Sequence, residues 1–138
     1  MPKKQNIAKL AKVARKVREH AHAPYSRFQV GAALESDKGK VFSGCNVENI
    51  SYGLTVCAER NAVFAAVASG TRSFRRIVIV ADSKEPVTPC GACRQVLSEF
   101  SENMEVISLN LQGHEFRAKL STLLPRSKAG ILDHPCST

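Results

Sequence analysis

Two short stretches of this chain hold residue types that can do chemistry: Cys57-Ala58-Glu59 and Thr88-Pro89-Cys90-Gly91-Ala92-Cys93. The second contains a C-x-x-C, a spacing used by redox dithiols and by metal sites. The chain has five cysteines, and the other two, Cys45 and Cys136, stand in no paired ligand motif. An odd count without a signal peptide argues against a disulfide framework and for a reducing, cytoplasmic setting. Thr88 and Pro89 read as the N-cap and first residue of a helix, and Thr55 as the N-cap ahead of Cys57. Both arrangements put thiols on a first helical turn, where unpaired N–H groups and the helix dipole favour the thiolate that metals need. Cys57, Cys90 and Cys93 converging on one Zn2+ would leave its fourth tetrahedral position to water, the layout of a catalytic site. A structural zinc ribbon would want a fourth protein ligand.

The elements that must carry these residues follow from periodicity. Within residues 3–20, Ile7, Leu10, Ala11, Ala14 and Val17 share one helical face. Residues 28–36 and 40–45 predict a hairpin around Asp37-Lys38-Gly39-Lys40, and the aperiodic 46–55 predicts a loop. Residues 56–69 predict a helix stopped by Gly70, and 75–81 is a β-branched run typical of a strand buried on both faces. A helix from Thr88 through Phe100, a strand over 105–109, a turn at Gln112-Gly113 and a short helix over 118–124 complete the set. The order α-β-β-α-β-α-β-α predicts a layered α/β domain with a mixed sheet. Residues 1–125 would form this domain, and 126–138, without periodicity, a loose tail.

Composition fits one globular domain: 138 residues, 43% hydrophobic and 23% charged, with no apolar run long enough to span a bilayer. The net charge of +8 invites a nucleic-acid reading, but its location answers it. Lys3, Lys4, Lys9, Lys12, Arg15, Lys16 and Arg18 fall in an acid-free start, whereas from residue 19 onward 13 basic side chains face 12 acidic ones. A mitochondrial presequence would be richer in Ser, and a membrane-surface helix would carry Trp or Phe. The charge reads as the solvated face of a first helix. No membrane association and no specific nucleic-acid partner are expected.

With these pieces in order, the chain resembles the small homotetrameric zinc-dependent cytidine deaminases over roughly residues 5–125. The matching stretches are Pro24-Tyr25-Ser26-Arg27-Phe28-Gln29-Val30-Gly31-Ala32-Ala33, Gly44-Cys45-Asn46-Val47-Glu48-Asn49, Ser51 to Arg60, and Thr88 to Gln95. The resemblance implies a three-layer α/β/α sandwich around a mixed five-stranded sheet, with four subunits whose sites lie at their interfaces. It implies Cys57, Cys90 and Cys93 as zinc ligands and Glu59 as the group that shuttles a proton from water to ring N3 and the departing amine. Zinc lowers the pKa of its water, which a poor electrophile such as cytosine C4 requires. Three thiolates on Zn2+ carry a net negative charge. Arg60, at i+3 from Cys57, can relieve it by donating to the sulfurs, a role the resemblance also implies.

Asn46 and Glu48 lie two apart, so an extended backbone points them the same way, and amide plus carboxylate suits a hydroxyl. The resemblance assigns that pair to the ribose 3′-hydroxyl, where Glu48 would repel a phosphate. It sets Phe28 against the pyrimidine ring, gives the base backbone groups at Ala58, and places Tyr52 at a subunit contact near the pocket. Cys45 reads as a buried thiol, Met104 and residues 63–67 as core or interface, and the four histidines show no metal spacing. One departure stands out: where the family usually has an aromatic after Leu123-Leu124-Pro125, this chain has Lys128.

The reading is hydrolytic deamination of cytidine and deoxycytidine to uridine and deoxyuridine in pyrimidine salvage. The competing readings are a deaminase of another cytosine compound, such as a nucleoside antibiotic, or of a polynucleotide. From another class comes a non-catalytic zinc- or RNA-binding module. Phe28, Asn46 and Glu48 favour the plain nucleoside, and Glu59 has no place in a structural zinc site.

Overall fold

The computed structural model describes residues 3–132, so His134, Cys136 and the end of the expected tail lie outside the described residues. In chain order the elements are α1 (Lys3–Arg18), β1 (Val30–Ser36), β2 (Val41–Cys45), α2 (Ala58–Ala68), β3 (Phe74–Ala81), α3 (Gly91–Phe100), β4 (Glu105–Asn110), β5 (Glu115–Lys119) and α4 (Leu120–Leu123). The strands form one sheet in the order β2-β1-β3-β4-β5. Among the described strands, only β3 and β4 run parallel, with α3 as their crossover, and the other pairs are antiparallel.

The central strands bury both faces, which explains the unbroken apolar run of β3. Ala32, Leu34, Ile77, Ile79 and Val106 meet Ala62, Val63 and Ala66 of α2 and Leu97 of α3 on one side. Ala33, Val78, Val80, Ile107 and Leu109 meet Ile7, Leu10, Ala11 and Ala14 of α1 on the other. The result is the three-layer α/β/α arrangement. Each fully buried Leu or Ile in these layers contributes about 1.5–3 kcal/mol.

Two glycines set how closely the helices lie on the sheet. A Cβ on Gly31 would sit 2.0 Å from the Ala14 carbonyl oxygen of α1. A Cβ on Gly44 would sit 2.4 Å from the Ala62 nitrogen and 2.6 Å from the Ala58 oxygen of α2. Glycine is therefore required where α2, the helix that follows Cys57, seats against β2. The register places Val30, Cys45, Ala81 and Asn110 at one end of the sheet, and the segments leading to α2 and α3 leave from that end.

The structure corrects several boundaries. The first strand begins at Val30, leaving Phe28 in the preceding loop after Arg27, whose φ of 61° turns the chain. The stretch 118–124 is not one helix: Ala118 and Lys119 end β5, and the helix spans only Leu120–Leu123. β5 escaped the pattern because it is a short, charged, exposed edge strand. The 46–55 loop contains a 3-10 turn at Tyr52–Leu54. Met104 is core, whereas Cys45 is only half-buried. No helix among the described residues is long and apolar enough to cross a membrane.

Candidate active site

The thiols of Cys57, Cys90 and Cys93 come together where α2 and α3 begin, with their sulfurs all within 4.8 Å of one another. Cys57 and Cys90 are themselves the N-caps, in extended conformation, instead of lying inside the first turn behind Thr55 and Thr88. Thr88 instead accepts a 3.0 Å hydrogen bond from Arg94. The thiols thus sit at the positive ends of two helix dipoles, although neither capping thiol bonds a helix N–H. Tetrahedral Zn2+ with bonds near ~2.3 Å needs sulfurs about 3.8 Å apart. The Cys57 and Cys90 sulfurs are 3.7 Å apart, so that pair matches the spacing and the three-thiol set matches the ion's chemistry.

Electrostatics single out the same residues. Cys57 is pulled down to about 5, first by a hydrogen bond from Cys93 and further by Arg60 and Cys90. Cys93 is pushed up, first by its hydrogen bond to Cys57 and then by burial. Arg60 donates from Nη2 to the Cys57 sulfur at 3.6 Å, as its i+3 position predicts. Glu59 is 5% exposed, and burial raises its carboxyl to about 7, with the Cys57 charge adding to the shift. A carboxylate poised near neutrality beside a metal-fitting cluster suits proton transfer in both directions.

A second group gathers on the 46–48 segment, which is extended as expected. Val47 exchanges hydrogen bonds with Val56 at 2.9 and 3.0 Å, so this segment is tied to the residue before Cys57. Asn46, nearly buried, spends its amide on the backbone: Nδ2 donates to Phe28 O and Oδ1 accepts from Val30 N, both at 2.8 Å. Each of those atoms retains one further bonding position. Glu48 Oε1 accepts from Tyr25 N at 3.0 Å and Ser26 N at 3.1 Å, and Oε2 accepts from the Ser26 hydroxyl. That hydroxyl is the chief cause holding the Glu48 carboxyl below its ordinary range. Phe28 is partly exposed, Ala58 is fully buried, and Tyr52, 73% exposed, meets Tyr25 edge-on. Tyr25, Ser26, Glu48, Tyr52 and Thr55 line a recess of about 360 Å³.

Two contributors escape sequence reasoning. Arg94 donates to Pro89 O at 2.7 Å and Leu123 O at 2.9 Å as well as to Thr88, so it locks the Cys90 turn to α4. Ser26 bonds Glu48 from 22 residues away. Only the position of Arg94 one turn beyond Cys90 could have signalled the first. Lys128, by contrast, lies exposed and 3.7 Å from Glu102, and nothing in the structure explains its replacement of an aromatic.

This is an α/β/α protein with a three-thiol metal site at two helix N-termini. The model of the cytidine and deoxycytidylate deaminase zinc-binding region matches residues 4–109, and the chain belongs to that family. It is 53% identical over 117 residues to a cytidine deaminase of Halalkalibacterium halodurans, covering 84% of this chain and 89% of that one. To a cytidine deaminase of Sporosarcina psychrophila it is 48% identical over 121 residues, covering 87% and 89%. The crystal structure of cytidine deaminase from Burkholderia pseudomallei superposes with a TM-score of 0.83 at 50% identity, over 86% of this chain and 95% of that one.

Proposed function

We propose that this protein deaminates cytidine and 2′-deoxycytidine hydrolytically, with Zn2+ held by Cys57, Cys90 and Cys93. The single observation that carries the reading is the convergence of the Cys57, Cys90 and Cys93 sulfurs, with the buried Glu59 two residues beyond Cys57 on the same helix. Zn2+, when bound, supplies a Lewis acid that makes its water a nucleophile at neutral pH. Glu59 would hand the attacking water's proton to ring N3 and then carry the proton of the new C4 hydroxyl to the departing amine, so that water is consumed and ammonia released. Arg60 offsets the charge of the thiolates. Asn46 and Glu48 take the sugar hydroxyl, Phe28 flanks the ring, and the Ala58 backbone addresses the base.

The chain acts as a homotetramer in the cytoplasm, within pyrimidine salvage. Support for assembly comes from apolar surface left uncovered: Phe64, Val67, Val96 and Phe100 line a 600 Å³ groove between α2 and α3. Ile50, Tyr52 and Leu54 are exposed beside the thiol-bearing loop. A second copy covering these residues would also close an otherwise open pocket, and Tyr52 would meet it.

The test is to incubate zinc-quantified protein with cytidine, deoxycytidine, CMP, blasticidin S and a cytosine-containing oligonucleotide. Ammonia release from the free nucleosides alone, abolished in Glu59→Ala with zinc retained, is expected. Activity confined to the oligonucleotide or to blasticidin S, or none in zinc-loaded protein, overturns the reading.

A further inference from the structure

The Ser26 hydroxyl stands between two residues that face the substrate in the reading above. It donates to Glu48 Oε2 and accepts the Phe28 N–H at 3.0 Å. Glu48 Oε1 meanwhile accepts two backbone N–H groups, from Tyr25 and Ser26. An ionised carboxylate offers about four lone-pair sites. Three are occupied from within the protein, so one remains, on the oxygen that Ser26 holds.

A carboxylate so placed can accept one more hydrogen bond and can donate none. Its ligand must therefore present a single donor hydroxyl, and a methyl ether, fluorine or phosphate at that position finds no partner. The same hydroxyl fixes the backbone at Phe28, so the sugar-facing and ring-facing groups are set in one register. Without it, Oε2 would have two open sites and the carboxylate only one residue pair, Tyr25 and Ser26, of backbone anchors.

We propose that Ser26 is a positioning residue that sets specificity for a free sugar hydroxyl, by fixing Glu48 and leaving it one acceptor site. This rests on the assignment of Glu48 to the sugar. Ser26 does not touch the reacting atoms, so its effect belongs to recognition.

The experiment compares cytidine with 3′-deoxycytidine, which lacks the hydroxyl, in zinc-loaded wild type, Ser26→Ala and Ser26→Thr. Ser26→Ala is expected to raise KM for cytidine about ten-fold, the value of a hydrogen bond to a charged group, with kcat within two-fold. KM for 3′-deoxycytidine should rise much less than that for cytidine, through the lost Phe28 contact alone, and Ser26→Thr should restore cytidine KM. Equal rises for both nucleosides, or a kcat loss alone, would show mere structural damage and overturn the proposal. Full discrimination retained in Ser26→Ala overturns it as well. Wild-type enzyme that acts on cytidine but does not distinguish the two nucleosides overturns the sugar assignment itself, and this inference with it. Should Ser26→Ala fail to fold, Ser26→Cys, a weaker donor, is measured in both arms by the same criteria.

Discussion

The sulfurs of Cys57 and Cys90 lie 3.7 Å apart although 33 residues separate them in the chain. Each caps a different helix, and the third thiol, Cys93, is fully buried behind them. Three such groups cannot all ionise unaided, which is why Cys57 is pulled down while Cys93 is pushed up. A divalent cation bound by the three sulfurs removes that conflict. Chelation of the zinc-loaded protein is therefore expected to lower Tm. Zinc at a hundred times its Kd adds ~2.7 kcal/mol, or about 10 °C for a domain of this size. Cys93→Ala should lose stoichiometric zinc, measured by plasma emission, and Cys45→Ala should keep it. Unaltered zinc content in Cys93→Ala would remove that residue from the ligand set.

Glu59 gives a prediction with two independent readouts. Glu59→Gln should retain zinc and lose about 10²–10⁴-fold in kcat, the usual contribution of general acid–base transfer. The second readout concerns metal-free protein. Because burial raises the folded-state carboxyl from 4.5 to about 7, folding favours the protonated form. Its stability contribution is fully present below pH 4.5 and is lost as pH rises through about 7. The difference corresponds to ~3 kcal/mol at most. Denaturant titrations should show metal-free wild type losing stability across that window relative to Glu59→Gln. Parallel pH profiles for the two proteins would place Glu59 in a solvated position.

The meeting of the three thiols and the Arg60–Cys57 contact were legible because they follow from residue type and from spacing at helix starts. The cap positions were not. Thr55 and Thr88 are good capping residues by type, yet the extended backbone of Cys57 and Cys90 makes the cysteines the caps. The layered fold was legible from apolar periods in α1 and β3. β5 was not, since a charged strand at a sheet edge buries too little to show a pattern. Asn46 illustrates the remaining limit: its amide is held by the Phe28–Val30 backbone, a contact across 16 to 18 residues that no local spacing encodes.

Arg60 sits against the cluster with its guanidinium 3.6 Å from the Cys57 sulfur. Hydrogen bonding to that sulfur is also the chief reason its own pKa is raised. Removing this cation leaves the thiolates more electron-rich, so zinc would acidify its water less effectively. Arg60→Gln is expected to lower kcat about 10–100-fold, with thermal stability changed far less than activity. Turnover unchanged in a purified, zinc-loaded variant would reject this role.

Gly44 links the sheet to the chemistry by a different route. The Cβ of an alanine there would meet three backbone atoms of α2, at 2.4, 2.6 and 2.9 Å, and backbone cannot rotate aside. Relief requires α2 to move away from β2, carrying Cys57 and Glu59 with it. Cys90 and Cys93 belong to α3 and its cap, so they would not follow. Gly44→Ala is therefore expected to cost about 1–3 kcal/mol in denaturant unfolding and to weaken zinc binding at the same time. Gly53→Ala, where a Cβ meets nothing within 4 Å, serves as the control and should change neither. A Gly44→Ala protein with wild-type stability and wild-type zinc affinity would mean that α2 is not held to β2 by this contact, and that the thiol spacing is set elsewhere.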